Sequence, residues 1–503
     1  MDLILLLLST AVALSIATFY RRRSYAANPR RLPLPPGPKP ELFIGNVRQM
    51  PRKQRWLKFA EWKKTYGDIV HAQAFGQHLV ILNSYQLASQ LLGPRALYSD
   101  RPQFQFLGEL MGWGRMVSLI QYGDVWKRYR KLIHPAMNKT AVRQYWPAQQ
   151  KEARVLLQTL IDRPEDFMKE IRSMIGKVVM STVYGINVES PENEYIVMAE
   201  AALETVAHVS GIGNSLLNMF PILKYTPTWF PWSQFKRNAL KWRVIAEKMV
   251  EMPFADVKRK MATGKALPSF TAACLESGDA PDEIIKWTAG TMYAAGSDTT
   301  VASLTSFILA MVLYPEVQKR AQAEIDRVVG KDRLPTFEDR AEMPYMDCVV
   351  KEILRWKVVS PLAIPHRAME VDYFQDYWIP KGTSVIPNVW AMSQDETMYK
   401  DPERFWPERF EGEAGKNIVD PHSFVFGFGR RVCTGSHFAD ANIFIVAASI
   451  LAAFNISKPL DENGNEVDPV VSFSTGMVTH ADPFKCTIKP RSATAISLIQ
   501  AEG

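Results

Sequence analysis

A single cysteine, Cys433, sits in the run Phe426-Gly427-Phe428-Gly429-Arg430-Arg431-Val432-Cys433-Thr434-Gly435, among glycines and just behind two arginines. After Gly435, the residues Phe438, Ala441, Ile445 and Ala448 recur at helical spacing, so Ser436 to Phe454 reads as a helix. The cysteine therefore lies on a glycine-rich loop that feeds a helix N-terminus, where backbone N–H groups point outward and favour negative charge. With Arg430 and Arg431 adjacent, this setting predicts a thiol whose pKa is lowered towards the thiolate. Such a thiolate could be a nucleophile or a metal ligand. From these residues alone, a packed structural cysteine in a plain turn is the third reading.

Other residues with chemical potential are spread along the chain. From Pro281 to Tyr314 the pattern predicts one long helix, about 50 Å in length. Asp298 is its only charge between Trp287 and Tyr314. The length would permit a membrane span, but Gly290, Gly296, Ser297, Thr299 and Thr300 make the middle small and polar. That favours a central helix passing a ligand cavity. Trp126 and Arg130 are four apart and share a helix face. On their own they read as a packed, solvated face. Glu352 and Arg355, three apart, read first as an intrahelical ion pair.

The fuller pattern Phe-x-x-Gly-x-Arg-x-Cys-x-Gly, carried by Phe426, Gly429, Arg431, Cys433 and Gly435, resembles the haem-ligand loop of the cytochrome P-450 superfamily. Thr434 departs from that loop, where an apolar residue or proline is commoner. Ala295-Gly296-Ser297-Asp298-Thr299 resembles the family's oxygen-activation signature. The resemblance implies haem b with an axial thiolate from Cys433, and Phe426 and Arg431 as parts of the cofactor loop. It implies that Gly296 lets the helix backbone come close to the haem side, and that Asp298 and Thr299 order water and deliver protons. It assigns Trp126, Arg130 and His366 to the haem propionates, a carboxylate suiting the planar donors of arginine. It reads Glu352, Arg355 and Arg409 as a buried structural network, Arg409 being taken from the second of two Pro-Glu-Arg-Phe tetrapeptides. Val358 to Ile364 and Phe473 to Val478 correspond to segments lining the substrate.

The scaffold expected around these residues is mainly α with a smaller β-rich part. A helix is expected from Trp56 to Tyr66, then a hairpin with strands Asp68–Phe75 and His78–Leu82 about a Gly76-Gln77 turn. Helices follow from Ser84 to Val358. Further strands are expected at Ile364–Arg367, Trp378–Thr383 and Val385–Val389. Val206 to Trp232, with Phe220, Trp229, Phe230 and Trp232, reads either as buried helix packing or as a lid over the substrate pocket that also touches the bilayer, and the resemblance favours the lid. Leu3 to Tyr20 carries no charge and is followed by Arg21-Arg22-Arg23, which predicts a membrane anchor with the body on the cytoplasmic side. A cleaved signal peptide fits worse, because the basic residues fall on the wrong flank. Pro33 to Pro40 holds five prolines and reads as a stiff spacer. The organisation is thus an anchor (1–20), a basic and proline-rich linker (21–40) and one haem domain (41–503).

Composition agrees with such a body. A hydrophobic content of 47% over 503 residues allows a large core. The net charge of +8 is mild for this length and suits an acidic membrane surface or redox partner rather than nucleic acid. The four cysteines Cys274, Cys348, Cys433 and Cys486 form neither zinc-type pairs nor a disulfide framework, which fits a reduced compartment. By resemblance, the expected protein is a monooxygenase on the endoplasmic reticulum membrane, close to fungal microsomal members of specialised metabolism. It would act on a small hydrophobic substrate with O2, and take electrons from an NADPH-cytochrome reductase, with cytochrome b5 as a second donor. Two rivals are a reductase-independent isomerase or dehydratase and a non-catalytic haem-binding sensor.

Overall fold

The structure is a computed structural model and describes residues 28–190, 192–207, 217 and 220–501. The expected anchor, Leu3 to Tyr20, lies outside the described residues. The proline-rich stretch is fastened to the body. Pro33 O accepts from Trp378 N–H and Pro36 O from His71 N–H, both at 2.8 Å, and Pro38 O accepts from Asn46 Nδ2 at 2.9 Å. Gly37 lies so close that a Cβ there would stand 1.8 Å from His71 O. From Pro33 on, the spacer is therefore a strap.

Helix α1 (Arg55–Tyr66) puts Phe59 and Trp62 against Val70, Ala72 and Ile81 of the next two strands. Those strands, β1 (Ile69–Ala74) and β2 (Gln77–Leu82), pair antiparallel with Ala74 opposite Gln77. The turn between them is made by Phe75 and Gly76, both at positive φ (48° and 81°). Two left-handed residues match the strand twist in a two-residue hairpin. The turn thus falls one residue earlier than expected, and Gln77 is a strand residue.

Helices then dominate: α2 (Tyr85–Leu92), α3 (Asp124–Met137), α4 (Trp146–Asp162), α5 (Phe167–Tyr184), α6 (Glu194–Ala207), α7 (Gln234–Ala262), α8 (Phe270–Ser277), α9 (Asp282–Leu313), α10 (Pro315–Val328) and α11 (Pro344–Trp356). Four short strands follow, β3 (His366–Arg367), β4 (Asp372–Phe374), β5 (Tyr377–Ile379) and β6 (Ser384–Pro387). The chain ends with α12 (Ser436–Ala453), β7 (Phe454–Ser457), β8 (Thr487–Pro490) and α13 (Ala493–Gln500). The main sheet runs β1-β2-β6-β3, with β2 parallel to β6, so the N-terminal hairpin is stitched to a strand some 300 residues later. Two two-stranded ribbons, β4-β5 and β7-β8, complete the β part.

Helices α9 and α12 are long and apolar enough to cross a membrane, yet 72% of each apolar window is buried inside the protein. They are core helices. α9 packs on α5, α7 and α12. Gly290 permits the α7 contact, since a Cβ there would lie 2.7 Å from Val250 Cγ2.

The predicted Glu–Arg–Arg network is present. Arg355 Nε and Nη2 each reach Glu352 at 2.7 Å, and Arg409 Nε reaches the same carboxylate at 3.3 Å. All three side chains are buried, and Ser393 O, Arg404 O and Lys400 O accept remaining guanidinium protons. Every charge is thus paired or hydrogen-bonded, the condition for tolerating burial. The network pins α11 to the irregular run that leads towards the cysteine.

Candidate active site

Two glycines shape the cysteine loop. Gly427 and Gly429 adopt φ of 86° and 55°, and a Cβ on Gly429 would stand 2.2 Å from Leu92 O. Only glycine meets both demands. Cys433 N–H donates to Phe426 O at 2.8 Å, which closes the loop, and α12 begins three residues later.

Cys433 keeps accessible surface, yet protein crowds it closely enough for burial to dominate its ionisation. Both hold for a thiol in the wall of an internal cavity. Here the sequence expectation needs correcting. Burial pushes the thiol pKa up, and the Gly435 N–H and the Arg130 charge only oppose that rise. The sulfur's positive neighbour is Arg130 rather than Arg430 or Arg431. Arg431 turns away, donating to Ser99 O (2.6 Å), Val117 O (3.2 Å) and Ile120 O (2.8 Å).

Around the loop lies a cluster of cationic side chains. Arg130, from α3, donates to Val432 O at 2.7 Å and so ties that helix to the loop. The guanidinium carbons of Arg431 and Arg130 lie 4.7 and 5.7 Å from the Trp126 ring centroid. Trp126 Nε1 is buried without a hydrogen-bond partner. His366 is buried with Nδ1 2.8 Å from Tyr98 O, and burial, with Arg101 and Arg431 nearby, holds its pKa well below the usual value. Arg101 was not singled out in the sequence. It donates to Ser118 O, Ile364 O and Pro365 O. Burial and the neighbouring Arg431 press its pKa down to about 9, and burial presses Arg431 down to about 10. Arginines remain charged under these conditions, so two of them buried side by side leave a positive field that favours an anion. The nearest acid, Asp100, is occupied by Arg367 (2.5 and 2.9 Å) and by Tyr122 N–H (2.8 Å).

On α9, the flanks are buried but Ala295 is accessible and Gly296 to Thr299 are half-buried. A long core helix thus opens at its centre. Thr299 Oγ1 donates to Ala295 O at 2.8 Å, leaving its lone pairs to accept. A Cβ on Gly296 would meet Val179 of α5 at an ordinary 3.5 Å, so the space this glycine spares faces α5, and Ala295 is the accessible position. Asp298 is held by Arg172 at 3.4 Å and His480 at 3.2 Å. Burial would raise its pKa, but these two partners hold it below the usual carboxylate value. Sequence reading found neither partner, because each lies more than a hundred residues away and carries no local motif.

These residues fit a haem. Among the described residues no three metal-ligating side chains gather, so an iron at Cys433 must bring its other ligands with it, as a porphyrin does. An indole N–H without a partner and an anion-poor pair of buried arginines suit two propionates. The comparisons with known proteins agree. A family profile for cytochrome P-450 matches residues 35–488. The chain is 43% identical to cytochrome P-450 monooxygenase claR of Ampulloclitocybe clavipes over 98% of this chain and 93% of that protein. It is 41% identical to cytochrome P-450 monooxygenase 176 of Postia placenta (94% and 93%), and 39% identical to monooxygenase 208 of the same fungus (100% and 99%). The chain belongs to the cytochrome P-450 family of haem-thiolate monooxygenases.

Proposed function

We propose that this enzyme is a membrane-anchored monooxygenase of fungal specialised metabolism that inserts one oxygen atom from O2 into a small hydrophobic substrate, by hydroxylation or epoxidation. In this reading Cys433 holds the haem iron, and Trp126, Arg130, Arg431, His366 and Arg101 hold the propionates. The bound haem supplies the capacity to reduce and activate O2 once an NADPH-dependent reductase feeds it electrons. The chain's own residues do the rest. Asp298, kept ionised by Arg172 and His480, takes a proton from the solvent side. Thr299, with its own proton committed to Ala295 O, accepts a hydrogen bond from water and so orients it. Buried apolar side chains of α5, α7 and α9 exclude bulk water around them.

The observation that carries the reading is the acid–alcohol pair at the one opening of a buried helix. An isomerase or dehydratase does not reduce O2 and so needs no relay bringing in the protons that balance that reduction, and a sensor needs no such opening. The test is NADPH consumption by the haem-loaded enzyme with purified reductase across terpenoid, polyketide and aromatic candidates. Substrate-dependent consumption with an oxygenated product supports the proposal. Substrate conversion without NADPH or O2 would overturn it in favour of the isomerase.

The membrane part of the proposal rests on an exposed aromatic face. Trp229 and Trp232 are 78% and 82% exposed, and Phe220, Ile222, Tyr225 and Phe230 are exposed beside them. Phe220 packs edge-on to Phe75 (5.2 Å), and Leu42 and Phe43, also exposed, precede the Gly45 bridge to Ala74. Two distant segments thus meet at one exposed apolar surface, the kind of feature that marks a membrane or protein contact. With the predicted anchor it favours a seat on the cytoplasmic leaflet of the endoplasmic reticulum. Lys127, Arg128, Lys131 and Arg430, all exposed near the cysteine loop, offer a face for an acidic reductase or cytochrome b5.

A further inference from the structure

Asp298 is gripped from two sides by side chains arriving from different parts of the chain. Arg172, on α5, donates to one carboxylate oxygen and His480 Nε2 lies against the other. His480 belongs to a loop that doubles back on itself. Phe473 bridges Ala481, Ser474 N–H donates to His480 O at 2.9 Å, and His480 N–H donates to Ser474 Oγ at 3.0 Å. Ser472 Oγ closes the base on Asp482 at 2.6 Å. The loop's flank is pinned to the segment after α11, Thr479 N–H donating to Val359 O (2.8 Å) and Thr479 Oγ1 to Val358 O (2.9 Å). The tip residue Met477 is 40% exposed. Ser360 Oγ donates to Met477 O at 3.4 Å, so the two segments expected to line the substrate are hydrogen-bonded to each other, and the same loop carries His480.

We propose that His480 is a positioning residue for Asp298, and that the loop of residues 472–482 couples occupancy of the substrate cavity to the placement of that carboxylate. The inference rests on Asp298 acting as the proton-relay acid. A half-buried carboxylate with one partner can rotate, whereas two partners from two elements fix both oxygens. The groups facing it are the Arg172 guanidinium from α5 and the His480 ring from the loop, while Asp482 is turned to Ser472. Because Ser474 and His480 are bonded through their backbones, a ligand pressing on Phe473 to Met477 moves His480 with the loop. The carboxylate then loses one of its two holds and turns towards the cavity. An empty cavity keeps the acid clamped, and a filled one releases it.

The test uses full-length haem-loaded enzyme with an NADPH-dependent flavin reductase and no added substrate, the probe being O2 itself. O2 that gains two electrons and two protons leaves as peroxide, and O2 that gains four of each leaves as two waters, so the peroxide-to-water partition counts protons delivered. His480→Phe should change this partition by about threefold or more, and His480→Gln, which keeps a donor, should restore it to near the wild-type value. A second readout is independent of turnover. Amide exchange across residues 472–482 should quicken by about tenfold in both His480→Phe and Asp298→Ala. If His480→Phe does not load haem, His480→Asn, too short to reach Asp298, takes its place. An unchanged partition in the His480 variant, with Asp298→Ala altered, would overturn the positioning role and leave Asp298 as the acid. An unchanged partition in both would overturn the two together, and unchanged exchange would overturn the coupling through the loop.

Discussion

Arg101 lies buried beside Arg431, with the neighbouring acid Asp100 already engaged by Arg367 and Tyr122. Two guanidiniums in that state have a deficit of negative charge that haem propionates would fill. Arg101→Gln should therefore weaken haem retention, seen as faster haem transfer to apomyoglobin, while Arg130→Gln should also disturb the carbon-monoxide spectrum through Val432 and the sulfur. His422 is a second residue whose setting dictates an outcome. Its two ring nitrogens face Asp420 (2.8 Å) and Asp440 (2.9 Å), and burial, which alone would lower its pKa, is outweighed by these carboxylates, so the pKa rises from 6.5 to about 9. A raised folded-state pKa stabilises the protein fully below pH 6.5 and loses that contribution as pH climbs through about 9. The difference in melting temperature between wild type and His422→Gln should be largest and flat from about pH 5 to 6.5 and shrink to near zero by about pH 10. Cys433, Asp298 and Thr299 could be singled out as candidates in the sequence because each sits in a short motif whose spacing suggests its chemistry. Arg101, Arg172 and His480 were not, because each meets its partner only after the chain has folded.

At the scale of elements, the network of Glu352, Arg355 and Arg409 holds α11 to the run that becomes the cysteine loop. Removing its one carboxylate leaves two buried cations without a counter-charge. Glu352→Gln should cost about 3–5 kcal/mol, visible as a large fall in the urea midpoint, and should also loosen haem binding through the loop. Helix limits were readable to within a residue or two wherever apolar periodicity and a proline boundary coincide, as in α9, which starts directly after Pro281. The hairpin turn was misplaced by one residue, since Gly76 supplies one left-handed position and the second falls to Phe75, a residue type that seldom takes it. Phe75 is retained at a strained φ while its ring packs on Phe220, a contact local turn rules cannot reveal. The thiol's pKa direction was also missed. Helix N-terminus and arginines are visible in sequence, but the depth of the loop is a property of what folds over it.

For the whole molecule, each of the two partners proposed above rests on one exposed face. A chain lacking residues 1–27 should still bind liposomes, and replacing Trp229 and Trp232 by serine should lower that affinity by about tenfold per tryptophan, measured by flotation. Reversing Lys127 and Arg128 to glutamate should slow reduction by the reductase severalfold at low salt, with the difference fading as ionic strength rises, as stopped-flow traces would show. The strap of prolines adds one consequence. With Leu3 to Tyr20 in the bilayer as proposed, and the chain held to the body from Arg30, whose guanidinium carbon lies 4.5 Å from the Tyr373 ring centroid, residues 21 to 29 form the leash, roughly 30 Å at full stretch. A leash that short lets the body pivot without drifting off, so the tryptophan-bearing face re-enters the lipid after every excursion. Cutting the leash or blunting that face alone leaves the enzyme on the membrane, and doing both sets it free.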